Sequence, residues 1–149
     1  MFYGDVTRLD LLRAAHAGSA SLFVLAIDDV DASVRAAELV RAHFPGLRIL
    51  ARARNRQHAY RLRRAGVTEI VRETFAASLE LTQTALEALG EEPARARSAV
   101  ERFRAHDEAL LEETWRHADD QEKLIEVSRR GRAELEKLFE EDAADRRTA

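Results

Sequence analysis

The 149-residue sequence contains no cysteine. That removes a disulfide framework, a thiol nucleophile and any thiolate-liganded metal site, and it fits a reducing compartment such as the cytosol. Also missing is any apolar run near the roughly 18 to 20 residues that a helix needs to cross a bilayer. The N-terminus has no basic stretch leading into an apolar core. Lysine does not occur before Lys123, and the stretch from Leu47 to Ala65 holds no acid. At this length the chain accommodates one ordinary domain, with room for an appendage.

What is present is charge, unevenly divided. Residues 1–73 carry 12 Arg against 8 Asp or Glu, whereas residues 74–149 carry 12 Lys or Arg against 19 acids, for a net charge of -3. Seven arginines fall between Leu47 and Ala65: Arg48, Arg52, Arg54, Arg56, Arg61, Arg63 and Arg64. Two uses are open for them, a solvated helix face or an anion site, to which the planar bidentate guanidinium is suited. Nucleic acid is not the expected partner, because the whole chain is acidic and the segment offers only Tyr60 as an aromatic.

The opening "MFYGDVTRLDLL" reads as a strand end at Phe2 and Tyr3, a turn at Gly4 and Asp5, and a helix capped by Thr7 with Asp10 in its first turn. "LFVLAI" (Leu22 to Ile27), "LRILA" (Leu47 to Ala51) and "VTEIV" (Val67 to Val71) read as strands, the first two as continuous apolar runs suited to burial on both faces. Between them, Val30, Val34, Ala37, Val40 and Phe44 recur at helical spacing, with Pro45 and Gly46 as a stop. "HAYRLRRAG" ends a second helix at Gly66. Strand, helix, strand, helix, strand predicts a parallel sheet. From Thr74 the pattern turns helical: one helix with Leu79, Leu81, Ala85, Leu86 and Leu89 stopping at Gly90, and a second opening at Pro93 with Val100, Phe103, Leu110, Leu111 and Trp115. A third runs from Gln121 to Glu141, carrying Leu124, Ile125, Leu135, Leu138 and Phe139, interrupted at Gly131 and fraying from Asp142. Its narrow apolar stripe requires another helix to pack on. The boundaries expected are 1–73 for the α/β part and 74–146 for the helical extension.

No catalytic set assembles from these residues, and the chain is expected not to be an enzyme. Asp28-Asp29 lies at the carboxyl end of a strand, where open α/β sheets bind ligands, and equally where a helix cap and first-turn acid belong; Asp28 is expected to serve both. His106 and Asp107 are neighbours that point about 100 degrees apart on a helix and lack companions at metal-ligand spacing, so no metal is expected. A phosphoacceptor receiver domain is suggested by "LAIDDVD" and "AGVTEIVRE" but lacks the required lysine.

The series "FYGDVTRLDLLRAA", "LAIDD", "HFPGLRILARARNRQHAYRLRRAGV" and "VRETF", followed by "RFRAHDEALLEE", closely resembles the cytosolic KTN/RCK (TrkA-N-like) regulatory domain of the bacterial glutathione-gated potassium efflux antiporters, the Kef family. The resemblance runs from residue 2 to about 116 and more loosely beyond. It implies a partial Rossmann-like parallel sheet of about four strands followed by an all-helical C-terminal extension, without the N-terminal GxGxxG unit and the membrane domain that precede this region in the family. A glycine-rich turn lets backbone amides approach a pyrophosphate, so affinity for AMP or NAD(H), neither of them required, is expected to be weakened.

Residue by residue, the resemblance implies that Asp5 lies at the adenosine side of a nucleotide pocket, with Ala26, Ile27 and Asp28 lining the next strand end and Arg52 near the phosphates. Arg72, in "RETF", corresponds to an arginine of the glutathione site, and Asp107 stands where the family has an asparagine that meets glutathione. The partners implied are glutathione or its adducts, a second copy in a homodimer, a membrane antiporter subunit and an ancillary quinone oxidoreductase, placing the chain in the cytoplasm at the inner face of the membrane. Two other readings stay open: a helical oligomerisation module with no ligand, and a degenerate remnant whose apolar edge strand is exposed.

Overall fold

The structure is a computed structural model that describes residues 4–118 and 120–147, with the backbone alone at 138 and 141–147. The chain divides into two compact units, Met1–Ala77 and Ser78–Ala149. The expected strand end at Phe2 and Tyr3 lies outside the described residues.

In the first unit a short helix α1 (Leu9–Ala14) and a 3₁₀ turn (Ala17–Ser19) lead into β1 (Leu22–Leu25), α2 (Val30–His43), β2 (Arg48–Ala53), α3 (Arg56–Arg64) and β3 (Glu69–Arg72). The three strands form a parallel sheet in the order β1-β2-β3, with Leu25 level with Ala51 and Ala53 level with Arg72. Alternation along the strands divides the sheet into two unlike faces. Leu25, Ile49, Ala51 and Ala53 are buried together with Val34, Ala37 and Val40 of α2 and Ala59 and Leu62 of α3 in one core cluster. Each fully buried large side chain there contributes about 1.5–3 kcal/mol of transfer free energy.

The strands are not buried on both faces: Leu22, Val24 and Val71 are 42%, 61% and 52% exposed. The opposite face of the sheet carries them with Leu50 and an Arg48–Glu69 pair at 2.9 Å. The cause is that the helices of the core cluster, α1 through Leu12, α2 through Val34, Ala37 and Val40, and α3 through Ala59 and Leu62, pack with Leu25, Ile49, Ala51 and Ala53 and so cover the other face.

Thr7 is not the cap of α1. Its backbone N–H and hydroxyl both donate to Asp5 Oδ1, at 2.9 and 2.7 Å, and the helix begins two residues later behind Arg8. At the foot of the sheet Arg41 acts as a clamp. Its Nε donates to the Gly66 carbonyl at 3.0 Å and its Nη1 reaches the carbonyls of Pro45 and Leu47 at 3.4 and 3.3 Å. Gly66, at φ +85°, reverses the chain after α3 in a conformation that a side chain would strain.

α4 (Glu73–Ala88) runs from the first unit into the second, which continues with α5 (Pro93–Arg116) and α6 (Gln121–Arg147). Pro93 opens α5, where a missing N–H costs nothing. α6 neither breaks at Gly131 nor ends at Asp142; it is helical through Arg147. Gly131 is where α5 and α6 come close, since a Cβ there would lie 2.6 Å from Leu110 Cδ1. Beside it His106 Nε2 donates to the Gly131 carbonyl at 3.1 Å, Arg130 pairs with Glu113, and Phe103 stacks on Phe139 with ring centroids 6.5 Å apart. Leu79, Ala96, Val100 and Val127 are buried, while Leu81 and Leu89 are 71% and 84% exposed. Leu138 lies outside the described side chains.

Candidate functional site

Parallel strands bring their carboxyl ends to one edge of the sheet, and the loops that leave them form the usual ligand crevice of such folds. Here Ala26, Ile27 and Asp28 follow β1, Arg52 lies at the end of β2 with Arg54 just after it, and Arg72 ends β3 directly before Glu73, the first residue of α4. Arg52 joins all three. Its Nη2 donates to Asp28 Oδ1 at 2.5 Å and to the Ala26 carbonyl at 3.0 Å, and its Nη1 donates to Glu73 Oε2 at 2.7 Å. The Arg52 side chain is 28% exposed, against 86% for Asp28 and 49% for Glu73. Its Nε is screened from solvent and has no hydrogen-bond partner among the described residues.

The hydrogen bond from Arg52, reinforced by the charges of Arg52 and Arg54, holds the Asp28 carboxyl below its usual range. Reciprocally, the bond to Asp28 raises the guanidinium, against a desolvation that lowers it and with Glu73 adding to the rise. Asp5 is likewise lowered, chiefly by its two bonds from Thr7. That bonding makes Asp5 the anchor of its own turn, and the structure shows no contact between it and the Arg52 cluster among the described hydrogen bonds.

Asp28 does not cap α2. Asp29 does, accepting from Ala32 N at 2.6 Å, which leaves the Asp28 side chain turned to Arg52. Of the seven clustered arginines, Arg48, Arg52 and Arg61 reach acids on other elements, Glu69, Asp28 with Glu73, and Asp31. The guanidinium of Arg72 lies over the Phe75 ring, 3.9 Å from its centroid. Thr74 Oγ1 donates to the Arg54 carbonyl at 2.8 Å, so the segment after β3 is bonded to the loop after β2. Asp107 is half-buried on α5 and belongs to the second unit, apart in sequence from the sheet edge.

One residue escapes the sequence reading altogether. His58 is 1% exposed. The Arg54 N–H donates to its Nδ1 at 3.2 Å, which fixes the proton on Nε2; Nε2 then donates to Ser33 Oγ at 2.6 Å, and Ser33 donates to the Val30 carbonyl at 3.2 Å. The imidazole thereby ties the first turn of α2, which follows Asp28, to the loop after β2, the strand that carries Arg52. Burial, together with Arg61, Arg52 and Arg54, lowers its pKa and keeps it neutral. Asn55, capping α3 through its bond from His58 N at 2.9 Å, is the nearest sequence signal that this loop is fixed.

Among the described residues no group of three or more His, Cys, Asp or Glu is placed to hold a metal ion. No described helix is long and apolar enough to cross a membrane.

The TrkA-N domain family matches residues 1–73, and the potassium efflux system KefB C-terminal domain family matches residues 77–149. A solved structure of the Shewanella denitrificans Kef CTD in AMP bound form is 46% identical, superimposes with a TM-score of 0.74, and shares 76% of this chain and 72% of its own. The chain belongs to the Kef family of C-terminal domains. Two curated relatives of this Kef domain are the glutathione-regulated potassium-efflux system proteins KefC of Cronobacter sakazakii, 40% identical over 144 residues, and of Escherichia coli, 41% identical over 142 residues. The Kef domain described here spans 97% and 95% of its own length in those matches and 23% of each relative. The α/β first unit with its parallel sheet agrees with a Rossmann-like TrkA-N fold.

Proposed function

We propose that this chain is the regulatory domain of a glutathione-regulated potassium efflux system, a ligand sensor with no catalytic activity of its own. The carrying observation is the Arg52 cluster at the carboxyl ends of the strands, in a chain 46% identical to a Kef domain described in AMP bound form. In this reading residues 1–73 form the sensor and 74–146 a helical extension that dimerises. An adenine nucleotide such as AMP or NAD(H) lies against Asp5, Ala26, Ile27 and Asp28 with its phosphate toward Arg52, and glutathione or its adducts meet Arg72 and Asp107. Arg72 suits a tripeptide with two carboxylates. Binding acts by differential affinity for two states of an antiporter at the inner face of the membrane, with an ancillary quinone oxidoreductase as a further partner.

The test is the thermal midpoint of the chain with and without millimolar AMP, NADH, glutathione and a bulky S-substituted glutathione, since a ligand of the folded state raises it. A rise with the glutathione compounds that disappears in Arg72→Ala, and a rise with AMP that disappears in Arg52→Ala, is expected. A cooperative melt that none of them moves overturns the sensing reading. It would favour a purely oligomeric helical module, for which the exposure of Leu81 and Leu89 is the supporting observation.

A further inference from the structure

The Arg52 guanidinium is not waiting for a ligand. Both terminal nitrogens are committed to carboxylates of the chain itself, Asp28 from the loop after β1 and Glu73 from the first residue of α4. Nε is screened from solvent, so an oxyanion that grips Arg52 in a two-pronged manner through its terminal nitrogens must take the place of one of them.

The two acids are not equivalent. Nη2 is shared between Asp28 and the Ala26 carbonyl, so displacing Asp28 disturbs two acceptors on one nitrogen. Asp28 is also followed directly by Asp29, whose cap on α2 fixes the local backbone. Glu73 receives Nη1 through a longer, more rotatable side chain. A carboxylate released there stays in the first turn of a helix, where negative charge is favoured.

We propose that Glu73 is a built-in competitor at Arg52, a residue that sets the affinity and selectivity of the site for anions by yielding its place to a ligand phosphate. The inference rests on the nucleotide reading above and adds to it a residue and a coupling. Glu73 lies between Arg72, whose guanidinium stacks on Phe75, and Thr74, whose hydroxyl bonds the Arg54 carbonyl. The displaced acid thus sits within the segment that carries the candidate glutathione arginine. A phosphate at Arg52 loosens one of the bonds holding that segment to β2, and linkage requires the converse: whatever repositions the Arg72 to Phe75 segment changes phosphate affinity by the same factor. A weakly charged anion does not displace Glu73 as readily as a phosphate dianion, which gives the site its preference.

The experiment is calorimetric titration of the full chain with AMP at one fixed ionic strength, for the wild type, Glu73→Gln and Arg52→Ala. Removing the competing charge is expected to tighten AMP about two- to tenfold, the scale of an exposed ion pair plus relief of repulsion toward a dianion, while Arg52→Ala removes binding. Adenosine, which lacks the phosphate, is expected to bind both wild type and Glu73→Gln alike. Equal AMP affinity in wild type and Glu73→Gln overturns the competitor and leaves the nucleotide reading standing. No AMP binding to either overturns both. If Glu73→Gln does not melt cooperatively, Glu73→Asp replaces it: the shortened acid keeps its charge but retracts from Nη1, and it is expected to tighten AMP in the same direction, unchanged affinity again refuting the proposal.

Discussion

Replacing Gly131 by alanine sets two known effects against each other. In the middle of α6, alanine is favoured over glycine by about 0.8–1 kcal/mol of helix propensity. The new methyl, however, would stand 2.6 and 2.8 Å from Leu110 Cδ1 and Cδ2, well inside contact distance. Forcing an extra methyl into such a packed seam costs about 1–3 kcal/mol. The expected outcome is a net destabilisation of about 0–2 kcal/mol, with the His106 bond to the Gly131 carbonyl lengthened as the helices part.

The decisive comparison is the same replacement in a Leu110→Ala background, where the obstructing methyls are gone. There Gly131→Ala should stabilise by about 1 kcal/mol, a reversal of sign that a double-mutant cycle isolates as the packing conflict. Urea unfolding of the full chain read through Trp115, the single tryptophan and itself on α5, reports on this helix pair directly. Stabilisation by Gly131→Ala in the otherwise wild-type chain would refute the close approach of Leu110 to the α6 backbone.

His58 makes the first unit sensitive to mild acid. Its folded pKa lies below the ordinary 6.5, so well above pH 6.5 it is neutral in both states and contributes no pH dependence; as pH falls through 6.5 toward the lowered value, the unfolded chain takes up the proton first and stability is lost. The urea midpoint followed by circular dichroism should drop between pH 7.5 and 5.5 in the wild type and by less in His58→Asn, equal drops refuting the assignment. Ser33→Ala leaves the buried Nε2 hydrogen without its acceptor and should cost about 1–3 kcal/mol in the same assay; a neutral result would mean that Nε2 finds another acceptor. Asp29→Ala should cost about 0.5–2 kcal/mol as a lost helix cap, whereas Asp28→Ala should spare the cap. Equal losses for the two would contradict the division of labour between them.

The sheet and the order of its helices were legible because apolar runs and helical spacing report burial, which is a property of sequence pattern. Val34, Ala37 and Val40 lie where the spacing puts them. Adjacent residues competing for one role were less legible. Asp28 and Asp29 both suit a cap, and only the backbone angle decides which carboxylate turns inward to Ala32. Gly131 reads as a helix breaker by propensity, yet packing against Leu110 outweighs about 1 kcal/mol of intrinsic preference. Arg52 was recognised by its place in the motif, but its partner Glu73 was not, since the pair spans 21 residues and is made by folding alone. His58 was invisible for the same reason: nothing local marks a histidine whose partners are Ser33 and the Arg54 amide.

The clamp made by Arg41 has a consequence for how such a chain tolerates change. A lysine at this position would leave net charge and isoelectric point essentially where they are, and any comparison by composition would score the exchange as silent. Yet a single ammonium is a point donor on a flexible stem and cannot reproduce a rigid planar fork that serves the carbonyls of Gly66, Pro45 and Leu47 from two nitrogens at once. The first 73 residues hold arginine as their sole cationic side chain apart from histidine. At Arg41 the side chain acts as a directional cross-link between backbone segments, so substitution there is governed by donor geometry and not by sign of charge.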